Sequence, residues 1–151
     1  MRLWHQELIP YLSKDHLSGQ HRECAALRGG GWNKRHSVVD YVFQYSPRRL
    51  YDYHMLIIHE YERRGANIAQ AWKDPDFRGW IKVKSLNPFG KDLIVNEVER
   101  ERWASSKIIP VAYQGTIYPE HNSTYLLECL QNIKSKGLRL RRDNPFDFDW
   151  E

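Results

Sequence analysis

The chain has 151 residues, of which 41% are hydrophobic and 13% aromatic, a composition that excludes a disordered segment and suits one domain with one core. Its net charge of +4 and pI near 9.1 permit a nucleic-acid partner without demanding one. Cys24 and Cys129 match no metal or redox spacing, and the longest apolar run, Met55 to Ile58, is far short of the ~18 residues of a membrane span. With no apolar secretory core near its start, the chain is expected to be cytoplasmic, with reduced thiols and no membrane partner.

In chain order, the first ten residues look extended and end at Pro10. Ser13 or Asp15 can cap a helix running to about Arg28, which Gly29-Gly30-Gly31 stops. Trp32-Asn33-Lys34-Arg35-His36-Ser37 reads as an exposed basic loop. Residues 38–45 are rich in β-branched and aromatic types and fit a short strand or a bridging helical turn. The next helix is the clearest. Ser46 caps it, Pro47 takes its first position, and Leu50, Tyr53, Ile57, Ile58 and Tyr61 form its apolar stripe. Arg63 and Arg64 suit its C-terminal dipole and Gly65 ends it.

Residues 66–91, punctuated by Pro75, Gly79, Pro88 and Gly90, read mostly as loop. A short helix is expected over 92–103. Another begins at Asn122 or Ser123 and ends at Gly137, burying Tyr125, Leu126, Cys129, Leu130 and Ile133. From about residue 138 the tail is basic (Arg139, Arg141, Arg142) and then acidic (Asp143, Asp147, Asp149, Glu151). The expected fold is mainly α: a single compact helical domain over 1–151, with an extended N-terminus packed beside the first helix and long connecting loops.

On the first helix, His16, Gln20 and Glu23 recur at i, i+4 and i+7 and share one face, with Arg22 on its flank. Such a face can be a polar cleft wall in which Glu23 serves as acid or base while Arg22 and Arg28 hold phosphates. It can equally be a solvated face with a weak Glu–Arg pair. Lys34 and Arg35, flanked by glycines and Trp32, can embrace a phosphate backbone, or the loop can be plain surface with Trp32 folded onto the core. His54 and His59 point about 140° apart, as do His16 and His21, so neither pair converges on a metal. No nucleotide-binding glycine loop or nucleophile elbow is present. No cofactor or metal is expected.

Met1-Arg2-Leu3-Trp4, then His16-Leu17, then His21-Arg22-Glu23 resembles the pyrimidine dimer DNA glycosylase family of the bacteriophage endonuclease V type. Glu62-Arg63-Arg64-Gly65 with Asn67-Ile68 is similar to the exit of that family's second helix, and Asp76-Phe77-Arg78-Gly79 echoes a loop after it. The likeness covers about half of the chain. It implies a DNA repair enzyme acting on double-stranded DNA with a damaged or modified pyrimidine. In such enzymes the N-terminal amine attacks the sugar C1′, the base leaves, a Schiff base forms and β-elimination nicks the strand. By position Glu23 matches the catalytic carboxylate, and Arg2, Arg22 and His16 match substrate-contacting positions.

Two departures stand out. The phage-type start is a threonine exposed by removal of methionine, whereas a large Arg2 leaves Met1 in place. Either Met1 supplies the amine, which is the preferred reading, or the lyase chemistry is absent. The family also has an arginine soon after the Arg-Glu pair; here Ala26 holds that position and Arg28 is a substitute two residues later. An α-amine suits the chemistry on its own terms, because its pKa of 7.7–8.0 leaves roughly 10–20% neutral at pH 7, against less than ~0.1% for a lysine. Arg2 and Arg22 lower that pKa by repulsion and Glu23 opposes them. The competing readings are a nucleic-acid-binding protein of the same fold without lyase chemistry, and an enzyme acting on a nucleoside or nucleotide. The sequence specifies neither the lesion nor an oligomeric state.

Overall fold

In the computed structural model, which describes residues 2–30, 38–79, 102–103, 105–106, 108 and 111–146, Ser13 and Gly29 bound the first helix. Helix α1 spans Lys14–Arg28; the Ser13 hydroxyl accepts from the His16 N–H, and the Gly29 N–H closes the last turn. Gly30 then takes a φ of 102°, a left-handed conformation that costs a glycine little. Helix α2 spans Pro47–Arg63, capped by Ser46 with proline in its first turn. It ends in a Schellman turn: Gly65 N–H donates to Glu62 O and Ala66 N–H to Tyr61 O, with Gly65 at φ 81°. Helix α3 spans Ser123–Ser135, capped by the Asn122 side chain.

Two segments differ from expectation. Residues 6–11 are a 3-10 helix, not extended chain. The His5 ring accepts from Glu7 N–H, and the fixed φ of Pro10 suits a 3-10 turn. Residues 40–44 are likewise a 3-10 helix, so the helical alternative for 38–45 is the one adopted. A third 3-10 helix, Gln70–Lys73, interrupts the expected loop. Of the helix expected over 92–103, only Arg102 and Trp103 are among the described residues, and both are helical. No strand occurs among the described residues, and the fold is compact and helical.

Helices α1 and α2 pack against each other over a core that joins Leu3, Leu8, Leu17, Leu27, Leu50, Ile57 and, from α3, Ile133. Leu50 and Ile57 have no exposed surface, so each contributes about 1.5–3 kcal/mol by burial. A smaller cluster of Ile58, Ile68 and Trp72 lies beneath the third 3-10 helix.

The N-terminal segment is held edge-on by side chains. The Gln20 amide donates to Arg2 O at 2.8 Å, and its oxygen accepts from Trp4 N–H at 3.1 Å. The Tyr53 hydroxyl donates to Trp4 O at 2.6 Å, and the Tyr125 hydroxyl donates to Leu3 O at 2.5 Å. Four of the backbone groups of residues 2–4 thus find side-chain partners without a neighbouring strand. The extended start does lie beside the first helix, with Gln20 one helical turn from Glu23.

Candidate active site

A cavity of about 500 Å³ opens between the N-terminal segment, α1 and the residues that follow α3. His16, Gln20 and Glu23 all line it, so the expected face of α1 is a real cleft wall. Arg2, Trp4 and Arg22 join them, and Lys136 and Leu138 contribute from beyond α3.

Glu23 is the cleft's deepest acidic group. Its residue is 1% exposed and both carboxylate oxygens are shielded from solvent, a placement that a merely solvated helix face does not produce. On the flank of α1, the Arg22 guanidinium donates to Ser18 Oγ at 2.9 Å. Arg22 is exposed at the cleft edge, where a cation can meet phosphate.

His16 is half-buried beside Trp4, their ring centroids 6.0 Å apart. Burial pushes the imidazole below its usual pKa; Asp15 opposes this and Lys136 adds to it. His16 is therefore neutral at pH 7, able to donate from one nitrogen and accept at the other. Its Nδ1 is buried with no hydrogen-bond partner among the described residues.

Arg2 is fixed by Glu128 at 3.1 Å, and its guanidinium lies over the rings of Trp4 and Tyr125. Behind it, His121 accepts from Gln6 N–H through Nδ1. This leaves its Nε2 to donate to the Tyr41 hydroxyl 2.8 Å away, and burial lowers its pKa to about 3.

Residues 1–74 match the family model described as pyrimidine dimer DNA glycosylase. Over this segment, just under half of the chain, the protein is similar to that family. No curated protein and no solved structure matches the chain. The family is one of DNA glycosylases, and its matched segment supplies the α1 wall and the N-terminal edge of the cleft. Lys136 and Leu138 lie outside the match.

Arg28 requires a correction. It was expected to hold phosphate, as a stand-in for the family arginine at the position of Ala26. Instead it is 1% exposed and does not line the cleft. Its guanidinium donates to three backbone carbonyls, those of Trp72, Asp74 and Phe77, at 2.7–2.9 Å. It also donates to His54 Nδ1 at 3.1 Å. Arg28 therefore pins the 72–77 segment to α1. Burial lowers its pKa to about 10, which leaves it cationic at neutral pH.

His54 passes the polarity on. With Nδ1 accepting from Arg28, its proton sits on Nε2, 2.8 Å from His21 Nδ1. Met1, Lys34 and Arg35 lie outside the described residues. Among the described residues no cluster of His, Cys, Asp or Glu could hold a metal, and both cysteines are free and buried.

Sequence reasoning missed Trp4, Lys136 and Leu138 as cleft residues. Gly137 marked the end of α3, but nothing in the sequence told that the chain returns there to α1.

Proposed function

We propose that the protein is a DNA glycosylase with AP-lyase activity on a damaged or modified pyrimidine in double-stranded DNA. The observation that carries this reading is the buried Glu23 carboxylate at the cleft, one turn along α1 from the glutamine that anchors Arg2. In this reading Met1, next in sequence to Arg2, supplies the amine.

The neutral amine attacks the sugar C1′, and the glycosidic bond breaks with its electron pair leaving on the base. Glu23 stabilises the positive charge that develops at the sugar and then relays protons. Loss of the amine proton and opening of the sugar give a Schiff base. Removal of a C2′ proton expels the 3′ phosphate, and water releases the enzyme. His16, neutral beside Trp4, is suited to hydrogen-bond the nucleotide rather than to neutralise phosphate. Arg22 takes the latter role, with Lys34 and Arg35 as further backbone contacts.

Borohydride trapping on a duplex carrying one abasic site tests the reading, because the imine is reducible. The expected result is a covalent adduct that peptide mapping assigns to Met1. An adduct on Lys136, the lysine among the described cleft residues, overturns the amine assignment. DNA binding with no adduct favours the binding protein of the same fold.

A further inference from the structure

We propose that Lys136 is a phosphate-binding residue that, together with Arg22, grips the DNA backbone on the two sides of the reacting nucleotide. This rests on the reading of the cleft as a glycosylase site. It concerns a residue outside the segment that matches the family.

Lys136 caps α3 and lines the same cavity as Glu23. Its backbone is fixed there. Gly137, at φ 67°, donates to Lys134 O, and Leu138 N–H donates to Ile133 O, both at 3.0 Å. These are the two bonds of a Schellman turn. Ile133 is fully buried, and Leu138 packs against the core. The turn therefore cannot swing away without pulling Leu138 off that core.

A lysine at a helix end is commonly a partner for the helix dipole. That accounts for the charge but not for its reach into the cleft. Lys136 and His16 line the same cavity, and the lysine charge adds to the lowering of the His16 pKa. Lys136 makes no ion pair among the described residues, whereas Arg2 is engaged by Glu128. The described cleft residues carry three cations, Arg2, Arg22 and Lys136, against the carboxylates of Asp15 and Glu23. With Arg2 paired, Arg22 on α1 and Lys136 beyond α3 are the two cations available to a backbone crossing the opening. Asp15, on the cleft edge, disfavours a phosphate at its own position and so restricts where the backbone can run.

The experiment measures binding to a duplex carrying a tetrahydrofuran abasic analogue between ~50 and ~200 mM salt. Lys136→Gln is expected to make the plot of log K against log salt shallower by ~0.9, as one lost phosphate contact requires. Arg22→Gln should do the same, and the double variant should lose ~1.8. Lys136→Arg should keep the wild-type slope. Lys134→Gln, which removes an equal charge two residues away, should leave it unchanged. Lys136 is exposed, so the thermal midpoint of Lys136→Gln should equal that of the wild type. An unchanged slope in Lys136→Gln, or an equal change in Lys134→Gln, overturns the proposal. Wild-type binding without a borohydride adduct sinks the lyase reading and leaves this one standing; a wild type that binds no duplex sinks both.

Discussion

Gln20 and Arg2 are joined by a 2.8 Å hydrogen bond from the side-chain amide to the backbone carbonyl, and that bond holds Arg2 against α1. The same amide accepts from Trp4 N–H, and its oxygen lies 2.9 Å from the Tyr53 hydroxyl, whose proton goes to Trp4 O. Gln20→Ala deletes all of these and leaves a buried N–H without its partner. It should cost about 2–4 kcal/mol in urea unfolding, and it should reduce the yield of borohydride adduct on folded protein. A variant with wild-type adduct yield at equal folded fraction would show that the anchor does not position the amine.

Glu23→Gln keeps the volume and much of the hydrogen bonding but removes the charge. The expected outcome is a folded protein that still binds DNA and releases base at least ~100-fold more slowly. Single-turnover base release and the thermal midpoint, measured on one preparation, separate this from a structural role. A wild-type release rate would end the catalytic assignment.

Arg28→Met tests whether that residue pins the 72–77 segment rather than DNA. Three carbonyls and the His54 ring lose their donor, so stability should fall by about 3–5 kcal/mol. The salt slope of DNA binding, measured at a temperature where the variant is folded, should be that of the wild type. A slope shallower by one contact would return Arg28 to the DNA interface.

Acid should destabilise the protein well before its carboxylates titrate. Burial, as the first cause, lowers the pKa of His5, His16, His21, His54 and His121 from an ordinary 6.5. The unfolded chain then binds more protons than the folded one below that value. The stability is complete above about pH 6.5 and drains as the pH falls, down to about 3 for His121. His54 has a geometric reason as well: its Nδ1 faces a guanidinium donor, so a second proton there meets N–H against N–H. A loss of about 1–3 kcal/mol between pH 7 and 5.5 is expected, read as a falling thermal midpoint. A midpoint that is flat or rising across that interval would contradict the buried, neutral state of these rings.

The helices were legible in the sequence because their ends are written in local chemistry. Ser13, Ser46 and Asn122 cap, while Gly29, Gly65 and Gly137 terminate, and each works through its own few neighbours. The cleft wall was legible for a similar reason, since His16, Gln20 and Glu23 need only helical periodicity to share a face. Arg28 was misread because its side-chain direction depends on carbonyls 44 to 49 residues away. The 3-10 turn at 6–11 escaped because the His5 side chain that caps it is not a common capping type. Lys136 was invisible as a cleft residue, since its place follows from how α3 docks and not from any local pattern.

The bond from Tyr125 to Leu3 spans 122 residues. During synthesis at ~5–20 residues per second, Leu3 precedes Tyr125 by about 6–24 s. Over that interval Gln20 and Tyr53 are already made, but the hydroxyl that holds the Leu3 carbonyl is not. Leu3 is therefore translated well before α3 and reaches its final place only after it. Maturation of the cleft must wait for α3, even though most of its described walls come from the first 23 residues.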